Sequence, residues 1–179
     1  DGLACAYLGD DGDIRARLSY SELDNNARAI AARLQGLDAG GECAVLLYPP
    51  GLNIVSAFFA CMYANVVAIP LPIPRTTANI NQTKGIIEET KTEIILSTQT
   101  ILTKLARQDE QYFSKLICLD TQEVDADFVL AWRQPENPAG DTLAYLQYTS
   151  GSTSARKGVV ISHANVLENI KGIDRGFQH

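Results

Sequence analysis

The part of the sequence best equipped for chemistry lies between residues 148 and 158 and reads Tyr-Thr-Ser-Gly-Ser-Thr-Ser-Ala-Arg-Lys-Gly. Small residues run without a break from Ser150 to Ser154, with Thr149 before them and a cation, Lys157, shortly after. Backbone N–H groups of such residues can curl into an anion-binding nest, and the hydroxyls and the ammonium add further donors. The segment therefore predicts a loop that holds a triphosphate.

Three other interpretations of this segment compete with a triphosphate loop. The P-loop motif G-x-x-x-x-G-K-[ST] fails, because Gly158 follows the lysine and a strand, not a helix, is predicted next. The S-x-x-K motif fits Ser154 and Lys157 in spacing, but it needs a helical turn, and the Gly, Thr and Val neighbours disfavour a helix. A plain polar hairpin loop stays open as the structural alternative, although it needs fewer glycine and hydroxyl residues.

The segment resembles the phosphate loop of the adenylate-forming superfamily, which contains acyl-CoA synthetases, peptide-synthetase adenylation domains and luciferases. Three earlier segments resemble successive landmarks of its N-terminal domain: Leu-Ser-Tyr-Ser-Glu-Leu-Asp (18–24), Val-Leu-Leu-Tyr-Pro-Pro-Gly (45–51) and Cys-Met-Tyr-Ala-Asn-Val-Val-Ala-Ile-Pro (61–70). The sequence of residues 146–154 is most similar to that of fatty acyl-AMP ligases. Two positions depart from the family: Arg156 stands where proline is usual, and Asn65 where glycine is usual.

The resemblance implies a reaction in which a fatty acid carboxylate attacks the α-phosphorus of ATP, with Mg²⁺ assisting, to give acyl-AMP and pyrophosphate. Lys157 would be the catalytic residue of this segment, because it positions the phosphates and offsets their charge without acting as a nucleophile. The acyl group is then expected to pass to the thiol of an acyl carrier protein. The Mg²⁺ ligands are not identified. The residues expected to bind ATP are Thr149, Ser150, Gly151, Ser152, Thr153, Ser154, Lys157 and Gly158.

The family's adenine motif, ribose-binding aspartate, acyl pocket and C-terminal catalytic lysine are expected beyond the last residue of this sequence. We therefore expect residues 1–179 to be an N-terminal fragment of the adenylating large domain, inactive alone, with its phosphate loop at 148–158. An acyl-CoA ligase or an amino-acid adenylation domain is the alternative within the superfamily. A non-catalytic nucleotide-binding or scaffolding module is the alternative outside it.

Other residues with reactive or aromatic side chains have simpler explanations. His163 is a candidate general base, but it follows Ser162, which can cap a helix over 164–173, so a structural or substrate-edge role is favoured. The largest aromatic residues in apolar surroundings are predicted to belong to the core and not to stack on a ligand. They are Trp132, Phe58 and Phe59.

Helices and strands alternate through the chain, which predicts an α/β fold with mostly parallel strands and right-handed crossovers. Ser19 and Glu22 have capping-box spacing, so a helix is predicted to begin there, and Asn65 can end another in the left-handed conformation. Residues 124–141 look like an irregular connection. The predicted strands are 43–47, 66–69, 93–96, 115–119, 143–148 and 158–161, and further helices are predicted at 52–64, 79–90, 98–107 and 164–173.

Composition excludes several classes of protein. A net charge of -6 argues against nucleic acid or an anionic membrane as a partner, because no excess of Lys or Arg exists to neutralise phosphates. Residues 43–74 carry no charge, but their longest stretch free of helix breakers, 54–64, rises only about 16 Å, against about 30 Å for a hydrocarbon core. A buried strand–helix–strand is therefore predicted there, without a membrane span.

The four cysteines are predicted to be reduced thiols. They form no C-x-x-C pair, and only two histidines exist, so zinc-ligand spacing is absent. Three of them lie in apolar runs and are expected to be buried: Cys43, Cys61 and Cys118. The sequence does not open with a recognisable signal peptide, which together with the thiols favours the cytoplasm.

Overall fold

The computed structural model describes residues 1–122, 125–135, 140–149 and 157–177, and it confirms the α/β architecture. A six-stranded sheet carries helices on both faces, and a two-stranded hairpin lies at the N-terminus. In chain order the elements are β1 (Leu3–Leu8), β2 (Ile14–Ser19), α1 (Tyr20–Gly36), β3 (Cys43–Leu47), α2 (Asn53–Tyr63), β4 (Val67–Pro70), α3 (Thr77–Glu89), β5 (Ile94–Ser97), α4 (Gln99–Gln108), α5 (Glu110–Phe113), β6 (Ile117–Asp120), α6 (Ala126–Ala131), β7 (Leu143–Thr149), β8 (Lys157–Ser162) and α7 (His163–Phe177).

The large sheet has the strand order β6-β5-β3-β4-β7-β8. The first five of these strands are parallel, and β8 runs antiparallel to β7 at the edge. Parallel neighbours need long crossovers, whereas antiparallel neighbours can be joined by a short loop. The short 150–156 connection therefore gives the one antiparallel pair among the described strands of this sheet.

Strand β3 shows how the sheet is buried on both faces. Ala44 and Leu46 belong to the apolar cluster that α1 and α2 cover, whereas Val45 and Leu47 belong to the cluster under α3 and α4. All four side chains are completely buried. Burial on both faces explains why this part of the sequence reads as a continuous apolar run. The predicted buried strand–helix–strand within residues 43–74 is confirmed.

Local signals place two helix boundaries where the sequence predicts them. Before α1, the Ser19 backbone N–H donates to Glu22 Oε2 at 2.8 Å, and the Glu22 N–H donates to Ser19 Oγ at 3.3 Å. This reciprocal pair is the predicted capping box. After α2, Asn65 adopts a φ of 54°, the predicted left-handed conformation.

The prediction of an irregular connection over 124–141 was wrong in part, because α6 lies within it. Asp125 caps this helix by accepting from the Asp127 N–H at 2.9 Å. The helix then packs on α1, where the Arg33 guanidinium lies 6.0 Å from the centre of the Phe128 ring. Six residues are too few to show helical periodicity, so contacts distant in sequence decide this element.

Three core predictions also need correction. Cys61 is buried as expected, but Cys43 is half-buried and Cys118 is exposed, because Cys118 lies on the edge strand β6. Phe59 is 39% exposed, whereas Phe58 and Trp132 pack against the cluster under α1 and α2. The four thiols are all free. No helix in the described part of the chain is long and apolar enough to cross a membrane.

Candidate phosphate-binding site

Two antiparallel strands carry the ends of the predicted phosphate loop. In the β7–β8 ladder Tyr148 lies opposite Gly158, and Thr149 lies opposite Lys157. Directly opposed residues of an antiparallel pair have Cα atoms about 4.5–5.5 Å apart. The structure therefore places Thr149 and Lys157 side by side, where both strands reach the 150–156 segment.

The predicted ATP-binding residues divide into two groups. Thr149, Lys157 and Gly158 are described and are all exposed to solvent. None of the ion pairs formed within the described ranges involves Lys157. The remaining predicted residues, and Arg156 beside them, lie outside the described residues: Ser150, Gly151, Ser152, Thr153 and Ser154.

Tyr148 and Gly158 are in close contact just behind this pair of donors. A Cβ built on Gly158 would lie 3.1 Å from Cζ and 3.3 Å from Cε1 of the Tyr148 ring. The Tyr148 hydroxyl donates to Glu89 Oε2 at 3.4 Å. Burial and the neighbouring Glu89 carboxylate raise the pKa of Tyr148 above its ordinary value, so the hydroxyl keeps its proton. The sequence indicated neither contact.

His163 lies away from the ends of the predicted phosphate loop. It is the first residue of α7, and its backbone N–H donates to Thr142 O at 3.0 Å. Strand β8 separates it from Lys157 by roughly 20 Å at the usual rise per residue. Ser162 caps α7 as predicted, by accepting from the Asn165 N–H at 3.3 Å. A structural role or a role at the edge of the substrate site stays the prediction for His163.

A cavity of about 620 Å³ opens where β3 and β4 end. Proline-rich turns after both strands form its apolar walls, and α3 contributes polar side chains. Ligands of open α/β sheets commonly bind outside the carboxyl ends of parallel strands, and ligand pockets are commonly of this size. The sequence motifs do not predict this cavity; proline-rich turns after two strands are the signal that points to it. Its polar lining residues are Tyr48, Arg75, Asn79 and Thr83.

A buried chain of hydroxyl groups fixes the strand ends beside this cavity. Tyr48 Oη and Thr121 Oγ1 are 2.6 Å apart, and Thr121 Oγ1 donates to Ser97 O at 3.2 Å. The Ser97 hydroxyl in turn donates to Leu47 O. These bonds join β3, β5 and the residue after β6. Burial raises the pKa of Tyr48, so its hydroxyl remains a donor.

The described donors at the mouth of the loop are suited to phosphate oxygens. Thr149 offers a hydroxyl and Lys157 an ammonium, the two side-chain types that ordinarily contact phosphates. The described residues contain no cluster of three or more His, Cys, Asp or Glu side chains that could hold a metal ion. Mg²⁺ usually binds through one or two carboxylates together with substrate phosphates, so a donor set without such a cluster is compatible with it.

The doubly covered parallel sheet, with an antiparallel hairpin that presents a hydroxyl and an ammonium, is the architecture of an adenylate-forming domain. The chain belongs to the family of AMP-binding enzymes, whose sequence model matches residues 4–179. The predicted resemblance to the adenylate-forming superfamily is therefore confirmed.

Individual relatives refine this assignment. The chain is 38% identical over 166 residues to the medium-chain-fatty-acid–[acyl-carrier-protein] ligase JamA of Moorena producens, covering 89% of this chain and 28% of that protein. It is 32% identical to the long-chain-fatty-acid–AMP ligase FadD32 of Mycolicibacterium smegmatis, covering 86% of this chain and 25% of that protein. A fatty acyl-adenylate ligase of Legionella pneumophila, solved with acyl adenylate and pyrophosphate, superposes with a TM-score of 0.86 at 30% identity, over 99% of this chain and 30% of that one.

These comparisons confirm the closer resemblance to fatty acyl-AMP ligases. They also show that the chain spans less than a third of the length of each relative.

Proposed function

We propose that this chain is the phosphate-binding part of a ligase that uses ATP to activate a fatty acid as acyl-AMP. The observation that carries the proposal is the pairing of Thr149 with Lys157 at the mouth of a serine- and threonine-rich segment. The relatives add support, because one solved ligase of 30% identity holds acyl adenylate and pyrophosphate, the two products of such a step.

Residues 1–179 would then be the N-terminal part of an adenylating large domain, with the phosphate loop at 148–158. The share of each relative that the chain covers supports this division. Groups that hold adenine, ribose and the acyl chain, and a mobile C-terminal domain with a catalytic lysine, would come from the rest of the enzyme. The 179-residue chain alone should therefore not form acyl-AMP.

In the proposed reaction a carboxylate oxygen of the fatty acid forms a bond to the α-phosphorus of ATP. The bond from that phosphorus to the bridging oxygen breaks, and pyrophosphate leaves with the electron pair. Lys157 and the Thr149 hydroxyl would hold the β- and γ-phosphates, so negative charge that develops on the leaving group meets fixed donors. Mg²⁺, when bound, would supply further neutralisation of the phosphate oxygens.

For the second step we propose that the acyl group passes to the phosphopantetheine thiol of an acyl carrier protein. The relative JamA is named for that acceptor, and FadD32 is named as an AMP ligase. Thr149 and Lys157 act on phosphates, so they cannot select the thiol; support for the acceptor comes from the relatives alone. ATP and carrier proteins are cytoplasmic substrates, so we place the reaction there.

The first step is tested by ATP–pyrophosphate exchange in the full-length protein. Exchange should require a fatty acid and Mg²⁺, and it should be absent with an amino acid as the carboxylate. The isolated 179-residue chain serves as the comparison and should show no exchange above background. Exchange that follows an amino acid, or none with fatty acids of any length, would contradict the proposed activity.

The acceptor is tested by supplying acyl-AMP, formed by the enzyme, with one of three partners. Holo carrier protein should consume it, apo carrier protein without the phosphopantetheine arm should not, and CoA should consume it slowly. Rapid and saturable formation of acyl-CoA would instead identify a CoA ligase.

A further inference from the structure

We propose that Tyr148 is a positioning residue, which sets the base of the phosphate loop by packing its ring into the space that Gly158 leaves open. The Tyr148–Gly158 pair would hold Thr149 and Lys157 in register. The part of this inference that concerns ATP rests on the proposed function. The part that concerns the strands does not.

The need for glycine at position 158 does not come from its backbone. Among the described glycines, positive φ angles occur at Gly12, Gly41 and Gly51, whereas Gly158 is an ordinary strand residue of β8. A Cβ there would lie 3.1 Å from Tyr148 Cζ, closer than well-packed side chains tolerate without movement. Glycine at this position is therefore favoured by the neighbouring ring, not by a turn.

The ring of Tyr148 gives strand β8 packing that glycine cannot supply. Strand β8 is the edge of the sheet, and glycine weakens an edge strand because it has no side chain to pack. An aromatic residue directly across from such a glycine covers it and pins the register. Tyr148 lies directly across from Gly158, so the Tyr148–Gly158 pair meets this condition.

Tyr148 is itself held from the other side. Its ring packs against the apolar cluster under α3 and α4, beside Leu146. Its hydroxyl donates to Glu89, the last residue of α3, at 3.4 Å. The Tyr148–Gly158 pair is thus fixed to the body of the domain. Thr149 comes one residue after Tyr148, and Lys157 comes one residue before Gly158. A shift at Gly158 would pass directly to Lys157, and small misplacement of a positioning group costs catalysis heavily.

A double-mutant cycle in the full-length protein tests the Tyr148–Gly158 pair, with Gly158→Ala, Tyr148→Ala and the double variant. Amide hydrogen exchange of peptides covering β7 and β8 is the first readout, because it does not depend on activity. Gly158→Ala should raise exchange by about tenfold, since the added methyl group crowds the ring and one of the two must shift. The double variant should exchange no faster than Tyr148→Ala alone. Multiplied effects in the double variant would overturn the proposal.

Matched controls separate this effect from substitution as such. Gly172→Ala adds the same methyl group where no atom lies within 4 Å, so it should leave exchange in β7 and β8 unchanged. Tyr148→Phe keeps the ring and loses only the bond to Glu89, so it should retain most of the protection. A Tyr148→Phe variant as unprotected as Tyr148→Ala would overturn the assignment to the ring.

The second readout is ATP–pyrophosphate exchange in the same variants. Gly158→Ala should lower kcat/KM for ATP by about tenfold or more, change the KM for fatty acid less than about twofold, and show no added loss over Tyr148→Ala in the double variant. If the wild-type protein shows no fatty-acid-dependent ATP–pyrophosphate exchange, the proposed function fails. The Tyr148–Gly158 pair is then tested by amide hydrogen exchange alone. If the wild type is active but Gly158→Ala lowers activity further in the Tyr148→Ala variant, the proposal for the Tyr148–Gly158 pair fails. The proposed function then stands.

Discussion

Thr149 lies directly across from Lys157 at the last rung of the β7–β8 ladder. The two residues therefore lie where one anion can be contacted by both, with Thr149 as a neutral donor and Lys157 as a cation. Neither is engaged by a carboxylate in the described part of the chain. This relationship is set by backbone pairing and not by flexible side chains, so the geometry of the loop ends is inherited from the sheet.

Removal of the cation should slow the first step. In the full-length enzyme, Lys157→Ala should reduce ATP–pyrophosphate exchange by a factor on the order of 10²–10³, because a donor aimed at developing charge contributes about 3–4 kcal/mol to the barrier. Fatty acid binding should change far less. Exchange rates measured at saturating fatty acid, with ATP varied, report this directly.

Lys171→Ala is the matched control for this prediction. Lys171 is exposed on α7, and its ammonium lies 2.7 Å from Glu168 Oε1, a surface pair of little energetic weight. Its removal should leave exchange unchanged. Equal activity of Lys157→Ala and wild type would show that the loop does not hold the phosphates through this residue.

A second prediction concerns backbone strain at Lys91, which lies between α3 and β5 with a φ of 52°. The left-handed conformation costs a residue with a Cβ about 1–2 kcal/mol, and glycine avoids this cost. Glycine also loses about 0.5–1 kcal/mol more in backbone entropy on folding, which offsets part of the gain. Lys91→Gly should therefore raise the free energy of unfolding by about 0.5 kcal/mol. Urea unfolding, followed by the fluorescence of Trp132, measures it.

The same change inside a helix should have the opposite sign. Lys104→Gly in the middle of α4 should lower the free energy of unfolding by about 1 kcal/mol. A loss of stability in both variants would contradict the assignment of strain to Lys91.

The elements predicted well are those whose signals are local. The Ser19–Glu22 capping box needs only three residues of separation, and the apolar run of β3, α2 and β4 needs only burial. Helix α6 depends instead on contacts such as Gln35 Nε2 donating to Arg133 O at 2.7 Å, across 98 residues. A six-residue helix is too short for the spacing of its apolar residues to predict it without such partners.

The candidate site divides in the same way. Residue types alone predicted Thr149 and Lys157, because donors and a cation near a run of small residues suit phosphates. The packing of Tyr148 on Gly158 depends on the register of two strands, which the turn geometry and the side-chain pattern fix together and which residue types alone do not reveal. The cavity beside Arg75 depends on turns that follow separate strands, so it became visible only when the sheet was assembled.

A third prediction concerns the buried hydroxyl chain. Thr121 Oγ1 donates to Ser97 O, so Tyr48 Oη must donate to Thr121 across their 2.6 Å contact. Tyr48→Phe removes one donor and should lower the free energy of unfolding by about 1 kcal/mol. Thr121→Val leaves the Tyr48 hydroxyl buried without that acceptor and should cost more, about 1–3 kcal/mol.

The combined variant provides the control for this pair. Tyr48→Phe with Thr121→Val removes both partners, so its loss should be smaller than the sum of the two single losses. Urea unfolding of the four proteins measures the coupling. Additive losses would show that the two hydroxyls do not interact.

The last prediction concerns pH and Cys61, which is completely buried on α2. Burial raises the pKa of its thiol to about 12, whereas an unfolded cysteine titrates near 8.5. Between these values the folded chain keeps a proton that the unfolded chain releases. The free energy of unfolding should therefore be fully retained below about pH 8.5 and should fall as pH rises, by up to about 1.4 kcal/mol per pH unit from this group.

Cys61→Ala removes the titrating thiol and should flatten this dependence. At pH 7 the variant should be less stable by about 1 kcal/mol, because a smaller side chain leaves space in a packed core. At pH 10 the wild type has lost the contribution of its protonated thiol, so the difference between the two proteins should shrink or reverse. Urea unfolding at pH 7, 9 and 10 measures both slopes. Parallel slopes would mean that the Cys61 thiol ionises as readily in the folded chain as in the unfolded one.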